Sequence, residues 1–179
     1  MQGGATLEVA PIVATSRTGG AWAASVNVAN AYYGQQRPNV GLATNGNAVV
    51  VWRVRTFGQY SSRVNGVWSA PAELPSSGGS VYPTVAVDGK GNAVAAYQGK
   101  LSSMSAGGTF QPPITLGSNQ VVASPAGTFV VNGTSVATRL PGSTTWNANG
   151  PSSGLVAIAA GQAIAAVTPS VSVSMEPVP

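Results

Sequence analysis

Short apolar runs rich in Val and Ala alternate along the chain with clusters of Gly, Pro, Asn and Ser. No segment carries the 3.6-residue apolar period of an amphipathic helix, so the pattern predicts an all-β protein of short strands and tight turns. One stretch is clearest. It predicts a first strand over Pro83–Val87, a turn at Asp88-Gly89-Lys90-Gly91-Asn92 and a second strand over Ala93–Tyr97, with the Asp-Gly step expected to supply the positive φ of the hairpin. A third strand is predicted over Leu101–Ser105 and a fourth over Thr109–Leu116, after Gly107-Gly108. The preceding stretch has the same plan, with strands over Pro38–Leu42, Asn47–Trp52, Gln59–Val64 and Val67–Glu73.

The similarity of those stretches belongs to a repeat that runs through the whole chain. A small-residue turn leads into an aromatic residue at Trp22, Trp68, Phe110 and Trp146, and in step with it Gly46-Asn47, Gly91-Asn92, Gly127-Thr128 and Gly161-Gln162 each open an apolar run. A four-stranded sheet with two apolar faces cannot bury both alone, so consecutive units must stack. The repeat predicts one domain over residues 1–179, a small β-propeller of about four four-stranded blades with units near 1–37, 38–82, 83–120 and 121–154. Residues 155–179 are expected to complete the first unit. That blade is then closed by both termini, with Leu7–Ala14 and Ala21–Val28 as its third and fourth strands and Leu155–Ala159 and Gln162–Val167 as its first and second. Ser170–Ser174 alternates Ser with Val and offers a further strand there. The repeated aromatics are expected to pin unit to unit, and Trp52 and Tyr97, each closing a second strand, are expected to be core.

Composition narrows the chemistry. Only 8 Lys and Arg and 4 Asp and Glu occur in 179 residues, 7% against roughly 25% in an ordinary domain. The net charge of +4 comes from scarce acids and not from a basic run, which argues against nucleic acid as a partner. With neither Cys nor His, the chain has no disulfide framework, no thiolate or imidazole metal ligand and no cysteine nucleophile. The Asp88 turn offers one carboxylate and a Lys, unlike a calcium loop, so no metal and no cofactor is expected. The longest apolar stretch, Gly154–Val167, is interrupted and shorter than the roughly 20 residues of a membrane helix, so no membrane insertion is expected. No signal peptide is read at Met1, an expectation that places the protein in a virion or the cytoplasm unless a leader has been removed.

The segment Ser103-Met104-Ser105-Ala106-Gly107-Gly108-Thr109-Phe110 resembles the Asp-box of bacterial sialidase-type β-propellers, Ser-x-Asp-x-Gly-x-Thr-Trp, with Ser105 where Asp is expected. The copies Thr15–Trp22, Ser61–Trp68 and Arg139–Trp146 are more degenerate, carrying Arg17, Arg63 and Pro141 at that place. Pro38–Trp52 and Pro83–Tyr97 are also similar to bacterial repeats reading Pro-x-Val-Ala-x-Asp-x-x-Gly-Asn-Ala-Val-Ala-x-Trp. The resemblance implies a fold and not an activity. A sialidase needs an arginine triad, a Tyr-Glu nucleophile pair and an acid, whereas this chain has only Glu8, Glu73, Asp88 and Glu176, and no catalytic residue is assigned.

Recognition is expected on the loops joining each fourth strand to the next first strand. The loop through Tyr32, Tyr33, Gln35, Gln36 and Arg37 is dense in aromatic, amide and guanidinium groups, and Tyr82 ends the next such loop. These six are the candidate ligand contacts, because such side chains suit sugar and protein surfaces. The cluster Arg53, Arg55 and Arg63 reads as a solvated strand edge in preference to a phosphate grip, with Arg53 and Arg55 pointing to one side if the strand continues. The expected function is a non-catalytic, lectin-like binding module for a glycan or protein surface. The alternatives are a structural virion protein (a surface, decoration or tail-associated subunit, bound to virion components or as a homo-oligomer) and, more distantly, a glycoside hydrolase.

Overall fold

The computed structural model describes residues 9–18, 20–32, 37–79, 81–118, 120–132, 135–151, 156–159, 162–165 and 174–177. Among the described residues there is no helix, and every strand pairing is antiparallel. At the N-terminal end β1 (Val9–Ala14) leads through the short hairpin of β2 (Arg17–Thr18) and β3 (Ala21–Trp22) to β4 (Val26–Tyr32), which pairs with β1. The next sheet runs β5 (Asn39–Leu42), β6 (Ala48–Val54), β7 (Phe57–Val64), with β8 (Val67–Trp68) and β9 (Ala72–Glu73) both on β7. Two four-stranded meanders follow. They are β10 (Thr84–Val87), β11 (Ala93–Tyr97), β12 (Gly99–Met104) and β13 (Ile114–Ser118), then β14 (Gln120–Ala123), β15 (Phe129–Asn132), β16 (Ser135–Arg139) and β17 (Asn147–Pro151). The last sheet is β18 (Val156–Ala159), β19 (Gln162–Ala165) and β20 (Ser174–Pro177).

First and second strands, and the third strands β1, β7 and β12, fall close to their expected places. The strand beside β19 is β20 and not Leu7–Ala14 as expected, since β1 pairs with β4, and three of the fourth strands are divided or begin late. Val67–Glu73 splits at Ser69: its N–H still donates to Ser62 O at 2.8 Å, but its hydroxyl accepts from Ser62 N at 3.1 Å in place of a backbone carbonyl and donates to Ala70 O at 3.0 Å, and Pro71 lacks a donor. In the third sheet the expected strand from Thr109 begins only at Ile114, after Pro112-Pro113. Ala21–Val28 is likewise divided between β3 and β4.

The turns between first and second strands are superposable in their bonding. Ala43 N, Asp88 N and Ser124 N donate to the carbonyls of Asn47, Asn92 and Thr128, while Gly46, Gly91 and Gly127 donate back to Ala43, Asp88 and Ser124. The left-handed position is Gly91 (φ 93), with Gly46 (φ 84) and Gly127 (φ 103). This corrects the expectation that the Asp88-Gly89 step supplies it. Gly89 is required for a different reason, since its N–H donates to Pro125 O of the next sheet at 3.0 Å and a Cβ there would collide with that carbonyl. Asp88 organises the turn, accepting from Lys90 N, Asn92 N and Asn92 Nδ2 at 2.8–2.9 Å.

The two repeated sequence signals are physically joined. Asn47 Oδ1 accepts from Asn65 N at 3.3 Å and Asn92 Oδ1 accepts from Ala106 N at 3.2 Å, so the Gly-Asn of one turn ties down the turn that precedes the aromatic residue.

Three apolar clusters lie between consecutive sheets. Ile12, Val28 and Ala29 pack on Val50, Trp52 and Val54; Val49, Val51 and Tyr60 pack on Val85, Ala95 and Tyr97; Ala86, Val94 and Ala96 pack on Val121 and Phe129. The second and third sheets therefore bury apolar side chains on both faces, one against the predecessor and the other against the successor, as the period-two alternation allows. Gly41 lets β5 approach β10, because a Cβ on it would stand 2.5 Å from Val87 Cγ2. Asn39 Oδ1 reinforces that approach by accepting from Val85 N at 2.8 Å.

Trp52 and Tyr97 are fully buried, as their places at the ends of second strands imply. Three of the repeated aromatics also pack between sheets. Phe110 meets Tyr60 edge-on at 4.8 Å, and Trp68 and Trp146 lie partly buried against the first and third clusters. Trp22 departs from this pattern at 67% exposure. Its equivalents are covered by the sheet preceding their own, and no described sheet stands in that place for the sheet of β1 and β4.

Candidate recognition surface

The connections from fourth to first strands, and the hairpins between second and third strands, emerge at one end of the sheets. The second hairpin there is unequal between repeats. β6 and β7 have 7 and 8 residues, whereas β11 and β12 have 5 and 6, so the β6–β7 hairpin projects further. Arg53 lies on the projecting part. The strand stops at Val54 and Arg55 turns with φ 53, so Arg53 and Arg55 do not continue one strand face as expected.

Arg53 is not a solvated edge cation. Its Nε donates to Arg55 O at 2.6 Å, its Nη1 donates to the Tyr82 hydroxyl at 2.6 Å, and its guanidinium carbon lies 4.8 Å from the centroid of the Tyr82 ring. Arg37 places its guanidinium carbon 4.6 Å from the same centroid. Arg37 itself has φ 35, an uncommon conformation immediately before Pro38. Tyr82 remains 48% exposed. Of the six expected contacts, Arg37 and Tyr82 are thus brought together. Tyr32 ends β4, paired with Val9, and Tyr33, Gln35 and Gln36 lie outside the described residues. Arg53 is the member that sequence reasoning missed; the signal for it was the longer interval between second and third strands in this repeat.

The surrounding backbone is held by side chains of the next sheet. Gln98 Nε2 donates to Gly78 O at 2.8 Å, Lys100 Nζ to Ser76 O at 2.8 Å, and the Tyr97 hydroxyl to Pro75 O at 2.7 Å. Burial pushes the Tyr97 phenol up to about 12, against a lowering contribution from Ser102. Just inside the same end, a cavity of about 220 Å³ opens among the first strands, lined by Asn39, Thr84, Gln120 and the Val residues beside them. Register makes Asn39, Thr84 and Gln120 equivalent, since they pair with Val51, Ala96 and Asn132 at corresponding places. The cavity is smaller than the roughly 300–1,000 Å³ of a pocket for a drug-sized ligand, so it admits one small group.

No protein-family model and no curated protein matches this chain. The chemistry must therefore be read from the residues.

The charges at the other end serve the fold. Arg139 is half-buried over Phe129 (4.7 Å) and Trp146 (5.3 Å), with Nη1 donating to Ser103 Oγ at 2.7 Å. Burial lowers its pKa, while Asp88 raises it. Arg63 Nη1 donates to Gly46 O at 3.1 Å and Arg17 Nε to Gly20 O at 3.1 Å. Glu73, on β9, and Asp88, in the first turn of its sheet, stand at opposite ends of the strands and form no carboxylate pair. Among the described residues no three His, Cys, Asp or Glu gather as metal ligands, and no helix is long and apolar enough to cross a membrane.

Proposed function

We propose that the protein is a non-catalytic binding module, a four-bladed β-propeller whose first blade is shared by the two ends of the chain, and that the end bearing Arg37, Arg53 and Tyr82 recognises a glycan or protein surface. The architecture is supported by where apolar side chains stand uncovered. On β10, Val85 and Val87 face the preceding sheet and are 6% and 8% exposed; the equivalent Val40 and Leu42 on β5 are 64% and 69% exposed. What is missing over them is the first and second strand of a preceding blade. The β18–β19 hairpin has that form and already contacts β14 and β15 on the far side of the stack. In this structure the free side of β19 is taken by β20; exchanging β20 for β1 there would cover Val40 and Leu42 and turn the sheet that carries Trp22 onto the sheet of β14 to β17. One closure thus accounts for two separate exposures, and it removes the open ends of the stack.

The observation that carries the recognition reading is the half-exposed Tyr82 ring fixed by two guanidinium groups. Cation–π contact and a charge-assisted hydrogen bond order these long side chains before any ligand arrives, which lowers the entropy lost on binding. The test is binding of the purified protein and its Tyr82→Ala variant to an immobilised panel of saccharides and proteins. Selective binding by the parent and its loss at unchanged melting temperature supports the reading; binding that survives Tyr82→Ala removes this surface from the function.

A second reading, a structural subunit of a virion, is favoured by the outward apolar residues of the outer strands. Val26, Val67 and Ile114 are all exposed. Stoichiometric incorporation into a particle, without saccharide binding, is the result that selects it.

A further inference from the structure

We infer that the Arg37–Tyr82–Arg53 cluster takes the oxyanion of an acidic saccharide, a sulfate ester or a carboxylate, and not the apolar face of a neutral sugar. The inference rests on the glycan-binding reading above and names its ligand class.

An aromatic side chain binds a neutral sugar by offering a bare ring face. Tyr82 does not offer one freely, since the guanidinium carbons of Arg37 and Arg53 lie within 4.6 and 4.8 Å of its centroid. Stacking a sugar there displaces a cation from the π-cloud. An anion displaces nothing. Each guanidinium has five N–H donors, and among the described residues the hydrogen bonds of Arg53 engage Nε and Nη1, which leaves Nη2 to a ligand. The two fixed donors also aim the planar group, which suits bidentate capture of a planar or tetrahedral oxyanion.

Electrostatics point the same way. Two like charges gathered on one ring repel each other, and a bound anion relieves that repulsion. The acids with described side chains do not supply it. Trp52, Gln59 and Glu73 are aligned across β6, β7 and β9 and so share one sheet face, whereas Arg53, paired with Gly58, projects from the other. Asp88 lies at the opposite end of the strands, enclosed by its own turn.

The experiment measures binding of the full chain to dextran, dextran sulfate and hyaluronan at about 0.15 M salt, where surface charges more than roughly 8 Å apart are screened. Parent protein is compared with Arg37→Gln, Arg53→Gln and Arg17→Gln, the last removing a charge at the opposite end. The expected result is binding to dextran sulfate or hyaluronan but not to dextran. It is weakened about tenfold or more by Arg37→Gln and by Arg53→Gln, the scale of one charge-assisted hydrogen bond, and unchanged by Arg17→Gln. Which of the two polymers binds distinguishes sulfate from carboxylate. Melting temperatures of all variants are measured alongside; if Arg53→Gln lowers its own, Arg37→Gln carries the comparison. Equal binding to dextran overturns the oxyanion while leaving the glycan reading intact. Binding lost equally in all three variants overturns the site in favour of net charge, and binding to none of the three polymers overturns the acidic saccharide.

Discussion

Among the described residues most buried polar side chains have specific partners, so single substitutions should report cleanly. The Tyr97 hydroxyl is the clearest case, donating to Pro75 O from a ring that is 1% exposed. Tyr97→Phe strands that carbonyl and is expected to cost about 1 kcal/mol by chemical denaturation. It should also change the alkaline limb of stability. The unfolded phenol ionises near 10 and the folded one near 12, so the folded state is fully favoured below pH 10 and loses ground as pH rises from 10 to 12. The melting temperature of the parent should fall through that window and that of Tyr97→Phe should fall less; equal slopes would place the phenol in solvent. Trp52, at the equivalent place in the previous repeat, buries an indole N–H that has no partner among the described residues.

At the scale of the element, the repeat is a linkage between two turns as much as a hydrophobic pattern. Asn92 accepts from Ala106 N and donates to Asp88 Oδ2, so Asn92→Ala removes one bond that joins two turns and one that braces its own turn. A loss of about 1–3 kcal/mol is expected by denaturant titration; no change would mean that the hydrophobic spacing alone keeps the motifs in step. The aromatic that follows is worth more. Phe110→Ala empties a place between two sheets and should cost about 3–5 kcal/mol by denaturant titration. Gly41 tests how closely sheets approach, because Gly41→Val drives a side chain into Val87 and should destabilise by about 1–3 kcal/mol.

For the whole molecule the open question is closure, and Leu42 answers it. In an open stack Leu42→Asp changes an exposed side chain and should move stability by less than about 0.5 kcal/mol. In a closed ring it buries an unpaired carboxylate between blades and should abolish cooperative unfolding or the monomer. We expect the second outcome. Deleting residues 1–16 should likewise expose the apolar side of β6, which Ile12 helps to cover, and lead to aggregation in gel filtration.

Much of this was legible in the chain itself. The all-β class, the repeat, the first and second strands and the burial of Trp52 and Tyr97 follow from local rules, since turn chemistry and period-two alternation act within a few residues. The fourth strands were less legible, because Ser69 and the Pro112-Pro113 pair compete with a ladder whose partner is known only in three dimensions. The candidate site was half visible: Arg37 and Tyr82 stand at equivalent loop ends, but nothing local states that the longer β6–β7 hairpin carries Arg53 onto Tyr82. That contact joins residues 29 positions apart, one on a strand and the other in the segment leading into the next sheet. Sequence determined which segments fold and where they turn, because those are short-range preferences. Tertiary structure decided which charges meet and which apolar faces stand bare, because those depend on how one sheet lies against the next.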